Sequence, residues 1–147
     1  MDNPKLLKIL LIEDNPDDIA ITKRALKNAK VINQLLVVND GQEALDFLYC
    51  RGAYQDNSEA SAPGLILLDI NLPKINGLEV LREIKNDEIL RKIPVVMLTM
   101  SKRDEDVVRG YVNGCNSFIQ KPVEFEKFVE IVRQIGLYWG LLNVECE

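Results

Sequence analysis

The chain has 147 residues, 47% of them hydrophobic and 28% charged, with a formal net charge of −5 from 23 acidic and 18 basic side chains. These figures fit one globular domain large enough to bury its own core. They exclude a disordered or collagenous chain and argue against nucleic-acid binding, which calls for a basic surplus.

Histidine is absent, which excludes Ser-His-Asp and Cys-His catalysis and any His-ligated metal site. Any chemistry therefore rests on carboxylates, hydroxyls or lysines. The three cysteines, Cys50, Cys115 and Cys146, are odd in number and widely spaced. They read as reduced thiols rather than a disulfide framework or a thiolate zinc site. The apolar stretch Leu6–Ile12 is interrupted by Lys8 and ends in acids. It is too short to span a membrane and lacks a signal-peptide cleavage site, so a cytoplasmic location without membrane attachment is expected.

In chain order, aliphatic runs alternate with helical patterns. Ile9–Ile12 is a first strand, closed by Glu13 and Asp14. Pro16–Ala29 reads as a helix capped by Asn15, with Ile19, Ala20, Ala25 and Leu26 broadly on one face. Leu35–Val38 is a second strand, followed by a helix over Gly41–Tyr49. The segment Cys50–Pro63 is small and polar and reads as a surface loop. Leu65–Leu68, closed by Asp69, is a third strand, followed by a helix over Leu78–Lys85. Val95–Leu98, closed by Thr99, is a fourth, followed by a helix over Arg103–Asn113 with Gly114 as its stop. Ser117–Gln120, closed by Lys121 and Pro122, is a weaker fifth, before a long apolar helix over Glu124–Leu142. Runs that are apolar at every position suit strands buried on both faces. Five β-α units in series predict an α/β fold, a doubly wound five-stranded parallel sheet with helices on both faces; if the order is 2-1-3-4-5, strands one and three flank its switch point.

Ligands of such sheets bind at the carboxyl ends of the strands, at the switch point between strands one and three. Glu13, Asp14 and Asp69 would converge there, and carboxylates so close must bind a proton or a cation. Hard oxygen ligands alone favour Mg²⁺. Lys121 adds a point charge and Thr99 a hydroxyl, completing a cage for a phosphoryl group with Asp69 as nucleophile. Taken singly, these residues have ordinary uses: Asp14 or Asn15 as a helix cap, Asp69 as a turn former, Thr99 as a strand end, Lys121 as a solvated charge. Five of the right types at the ends of four strands carry the case.

These segments together resemble a two-component response-regulator receiver domain over about residues 6–140. LLIEDNPDD resembles the acidic first-strand motif, LILLDINLPKINGLEVL the phosphoacceptor segment, VVMLTMS the hydroxyl motif and FIQKPVE the Lys-Pro motif. The resemblance implies a flavodoxin-like fold and a phosphoprotein that takes a phosphoryl group from a histidine kinase onto Asp69. It implies Mg²⁺ held by Asp14 and Asp69 with the backbone carbonyl of Asn71, and Glu13 acting mainly through water. It further implies Lys121 paired with the phosphoryl group, a cis Lys121–Pro122 bond, Phe118 at the aromatic switch position, and Gly77 relieving backbone strain before the third helix. Glu13 in place of Asp is a familiar variant. Met100 departs from the usual small residue; it would narrow access to the phosphoryl site or stand as an ordinary apolar strand end.

The long loop, NLPK, TMSK and an aromatic last helix resemble the single-domain regulators associated with bacterial phytochrome kinases. The expectation is one receiver domain over residues 1–147 without an output module, a signalling module rather than a turnover enzyme, with a kinase and a downstream effector as protein partners. An aspartyl-phosphate phosphatase would carry D-x-D-x-T after the first strand, whereas the nucleophile here would be Asp69 in Asp-Ile-Asn on the third; a flavin module would carry a Ser/Thr/Gly-rich loop after the first strand, where the sequence has Glu13-Asp14-Asn15-Pro16-Asp17-Asp18. A homodimer through the last helix or the neighbouring strand-five face is also expected. Phe125, Phe128, Val129, Val132 and Ile135 or Trp139 would cover the sheet, leaving Ile131, Leu137, Tyr138, Leu141 and Leu142 for a partner.

Overall fold

A computed structural model of the chain describes residues 7–29, 33–55, 63–111 and 117–134. It contains β1 (Leu7–Ile12), α1 (Pro16–Asn28), β2 (Asn33–Val38), α2 (Gly41–Leu48), β3 (Leu65–Asp69), α3 (Gly77–Asn86), β4 (Val95–Thr99), α4 (Lys102–Tyr111), β5 (Phe118–Gln120) and α5 (Phe125–Gln134). Short 3₁₀ turns at Gly52–Tyr54 and Leu90–Lys92 complete the described elements. All strand pairs are parallel and their order is β2-β1-β3-β4-β5, the expected doubly wound sheet.

The solid aliphatic runs follow from burial on both faces. Leu10, Ile12, Ile66, Leu68 and Met97 face one cluster, closed by Val80, Leu81 and Ile84 of α3, Ala44 and Phe47 of α2, and Val108 of α4. Ile9, Leu11, Leu65, Leu67, Val96 and Leu98 face the other, closed by Ala25 and Leu26 of α1 and Phe128, Ile131 and Val132 of α5. Successive strand residues point to opposite faces, so every position of β3 and β4 is buried.

Helix starts are set by local chemistry. Asn15 caps α1, accepting the N–H groups of Asp17 and Asp18, with Pro16 at the first turn. Asp40 and Asn76 cap α2 and α3 in the same way.

Several details differ from the sequence reading. Ala20 is exposed, and Thr22 is buried in its place on the sheet side of α1. The sequence offers Val107, Val108, Tyr111 and Val112 as the apolar residues of the fourth helix; in α4 Val108 is buried, Val107 and Tyr111 lie outward, and Val112 is outside the described residues. In α5 the sheet-covering residues are Phe128, Ile131 and Val132, and Phe125 is 40% exposed. Ile131 therefore belongs to the core and adds nothing to a partner surface. Gly114, Ile135, Leu137, Tyr138, Trp139, Leu141 and Leu142 lie outside the described residues.

Gly77 is required by space, since no left-handed backbone angle is found there. A Cβ on it would lie 2.1 Å from the carbonyl oxygen of Asp69 and 2.8 Å from Ile70 Cα. The chain folds back so tightly after β3 that the Gly77 N–H reaches the Ile70 carbonyl at 3.0 Å. The left-handed residue of this loop is Lys74, at φ 66°. Among the described residues no helix is long and apolar enough to cross a membrane.

Candidate functional site

The sheet order places the ends of β1 and β3 side by side, with Ile12 in register with Leu68. The next residue on each strand is Glu13 and Asp69. The Glu13 N–H continues the ladder to the Val38 carbonyl at 3.0 Å, and its own carbonyl accepts Asn39 Nδ2 at 3.1 Å. Asp69 stands opposite Leu98 of β4. Its Oδ1 lies 3.3 Å from the Asn71 backbone nitrogen, which donates to it.

Glu13, Asp14 and Asp69 each offer a carboxylate oxygen, and the three oxygens lie within 4.8 Å of one another. Glu13 is fully buried, Asp69 is 4% exposed, and Asp14 faces solvent. The two buried carboxylates form a floor and the exposed one an open side. A hard-oxygen set of this kind fits a divalent cation such as Mg²⁺, which accepts few protein ligands and keeps several waters. The cluster thus supports the expected cofactor, and Glu13, Asp14 and Asp69 are the side chains able to hold it.

Lys121 reaches the same place from the end of β5, across β4. Its backbone N–H donates to the Thr99 carbonyl at 2.7 Å, and the Lys121–Pro122 peptide is cis. Nζ lies 2.8 Å from Glu13 Oε1, 2.8 Å from Asp18 Oδ2 and 3.3 Å from Asp69 Oδ2. The approach to Glu13 Oε1 is an ion-pair contact without hydrogen-bond alignment, since that oxygen has no well-formed hydrogen bond. The other Glu13 oxygen accepts the Asn15 N–H at 3.2 Å.

These surroundings shift two groups. Burial pushes the Glu13 carboxyl above the usual carboxylate range; Lys121 opposes the shift and the neighbouring Asp69 adds to it. For Lys121 burial acts downward, but the hydrogen bond to Asp18, the Glu13 ion pair and the Asp69 charge outweigh it, leaving the ammonium more firmly protonated than a free lysine.

Thr99 is completely buried at the end of β4, and its hydroxyl has no hydrogen-bond partner among the described residues. A buried polar atom without a partner is uncommon; here it sits at the edge where a ligand oxygen is expected. Phe118 is half-buried at the start of β5, beneath Arg109 of α4. Met100 is 63% exposed, so it is no buried strand-end residue. Asn71 is exposed directly after Ile70.

The structure thus brings Glu13, Asp14, Asp69 and Lys121 together, with Thr99 and Phe118 on the adjoining strands. Sequence reasoning missed Asp18. In sequence it reads as an acid favoured in the first turn of a helix; its contact with Lys121 depends on how α1 and the end of β5 meet.

Comparison with known proteins agrees with this geometry. The response regulator receiver domain family matches residues 9–133. Response regulator Rcp1 of Synechocystis is 37% identical over 131 residues, covering 89% of this chain and 87% of that protein. The structure of the bacteriophytochrome response regulator AtBRR is 46% identical, with a TM-score of 0.86, covering 92% of this chain and 96% of that one. The phosphorylated cyanobacterial phytochrome response regulator RcpA is 41% identical, with a TM-score of 0.73, covering 92% and 94% of the two chains. An Mn²⁺-bound form of Rcp1 also aligns, at 37% identity and a TM-score of 0.70 over 90% and 93%. An acidic cluster at the switch point, a lysine beside it and these relatives lead to one conclusion: the chain belongs to the response-regulator receiver domain family, the phosphoaccepting signalling modules of two-component systems.

Proposed function

We propose that Asp69 is the phosphoacceptor of this receiver. The observation that carries the assignment is its place at the centre of the site: it shares the carboxylate cluster with Glu13 and Asp14 and lies 3.3 Å from the Lys121 ammonium. The donor is a phosphohistidine on a histidine kinase, since this chain contains no histidine. An Asp69 carboxylate oxygen attacks phosphorus as the donor's N–P bond breaks, and the electron pair of that bond returns to the donor imidazole. Asp14 and Asp69, with the Asn71 backbone carbonyl, would hold Mg²⁺, with Glu13 acting through water, and the cation would neutralise charge on the phosphoryl oxygens. Lys121 pairs with one phosphoryl oxygen. The buried Thr99 hydroxyl turns to another, giving it the partner it lacks. Phe118 follows into the space behind Thr99 and changes the surface formed by α4, β5 and α5, which a downstream effector reads.

In this reading the protein is a signalling module with no turnover of its own, and its kinase is a phytochrome. The likeness to bacteriophytochrome and cyanobacterial phytochrome response regulators supports that choice. Assembly as a homodimer through the last helix and a cytoplasmic setting complete it. The test is a phosphotransfer profile: the protein is mixed with a panel of phosphorylated kinases that includes phytochrome kinases, and initial rates are ranked. A phytochrome kinase at the head of the ranking supports the reading. Preferential transfer from an unrelated sensor contradicts the phytochrome assignment, and failure of every donor contradicts the phosphoacceptor assignment. Light scattering with and without beryllofluoride tests the dimer, and a monomer mass in both states contradicts it.

A further inference from the structure

Asp18 stands outside the group of carboxylates able to hold the cation, yet it makes the best-formed contact of the site lysine. Its Oδ2 accepts a hydrogen bond from Lys121 Nζ at 2.8 Å. Glu13 Oε1 is equally near but misaligned, and Asp69 Oδ2 is farther, at 3.3 Å. Asp18 is itself held in place. Its backbone N–H donates to the capping Asn15 Oδ1 at 3.1 Å, and α1 is docked on the sheet by Ala25 and Leu26, 4% and 2% exposed.

We infer that Asp18 is a positioning residue for Lys121, acting through the lysine on phosphoryl capture at Asp69; the inference rests on the phosphoacceptor reading given above. A lysine ammonium has three donors on a flexible stem. By taking one of them in a fixed direction, Asp18 limits the rotation of Nζ and keeps another aimed at the Asp69 oxygens. It also draws the ammonium toward α1. Without that pull the lysine would settle on the two buried carboxylates and cover the oxygen that must attack phosphorus. An oxygen arriving on Asp69 then meets a lysine already in place, and little side-chain freedom is lost at that moment.

The experiment is an NMR titration with beryllofluoride, an aspartyl-phosphate mimic, in saturating Mg²⁺. The proteins are wild type, Asp18→Ala, Lys121→Ala and the double variant, with Asp17→Ala as control. Asp17 is an exposed acid of the same helical turn, so it reproduces the loss of charge without the lysine contact. Loss of one charge-assisted hydrogen bond should weaken beryllofluoride binding in Asp18→Ala by about tenfold. Asp17→Ala should bind as wild type does. Mg²⁺ affinity measured without beryllofluoride should change far less than beryllofluoride affinity in Asp18→Ala. In the Lys121→Ala background, removing Asp18 should add nothing, because a residue that acts only through the lysine has no effect once the lysine is gone.

Unchanged or tighter binding in Asp18→Ala overturns the inference, as does full additivity in the double variant, which would signal a general structural role. These outcomes are distinct from failure of the underlying reading: a wild-type protein that binds no beryllofluoride overturns the phosphoacceptor assignment and the role of Asp18 with it.

Discussion

Arg109 of α4 lies over Phe118 of β5, its guanidinium 4.5 Å from the ring centroid. The arginine is in turn approached by Glu105, one helical turn earlier, at 3.8 Å. The Phe118 ring is therefore held by a cation from the neighbouring helix.

A contact of this kind is worth about 0.5–1 kcal/mol at an exposed site. If phosphorylation carries the Phe118 ring inward, the contact is lost, and it opposes the active state. Arg109→Ala should then shift the equilibrium toward the inward ring by roughly 2–5-fold at subsaturating beryllofluoride. Aromatic NMR signals of Phe118 report the populations. Identical populations in wild type and variant would show that Arg109 exerts no such restraint.

The carboxylate cluster predicts a linkage between cation and stability. Mg²⁺ at tenfold its dissociation constant should add about 1.4 kcal/mol, or roughly 3–6 °C in melting temperature for a chain of this size. Asp14→Ala removes the exposed carboxylate of the cluster without creating a cavity, so it should abolish most of the Mg²⁺ increment and leave the metal-free melting temperature near wild type. Differential scanning calorimetry with and without Mg²⁺ decides this. An equal increment in the variant would place the cation elsewhere.

The tight return after β3 makes Gly77 sensitive in a way that propensity alone does not suggest. Alanine is the better helix former, but its Cβ would fall 2.1 Å from the Asp69 carbonyl oxygen, and backbone must move to admit it. Gly77→Ala should cost about 1–3 kcal/mol in urea denaturation, as overpacking does. It should also weaken Mg²⁺ binding, because the backbone that must move carries Asp69. Unchanged stability together with unchanged Mg²⁺ affinity would contradict this.

Most of this architecture was legible in the sequence, and the failures are instructive. The runs at Ile9–Ile12, Leu65–Leu68 and Val95–Leu98 specify strands with helices on both sides, because a run that is apolar at every position suits a strand covered on both faces. Glu13, Asp69 and Thr99 stood out as polar residues ending those strands, and Lys121 as the one ending the weaker fifth. What periodicity could not resolve was which residue of a helix meets the sheet. Ala20 and Thr22 of α1 exchange places with expectation, as do Phe125 and Ile131 of α5, since a small rotation about the helix axis decides between neighbours. Asp18 was missed for a related reason: its partner is distant in the chain, at Lys121, and only tertiary packing unites them. Gly77 was noticed, but for backbone strain, whereas the structure shows a steric requirement set by Asp69 and Ile70.

The central assignment, Asp69 as the phosphoacceptor, is tested most directly by intact-mass spectrometry after incubation with acetyl phosphate. Wild-type protein should gain the mass of one phosphoryl group when Mg²⁺ is present and none when it is chelated. Asp69→Asn, which keeps the shape of the side chain and removes its nucleophilic carboxylate, should gain none under either condition. Phosphorylation of Asp69→Asn to the wild-type extent would contradict the assignment and place the acceptor on another side chain.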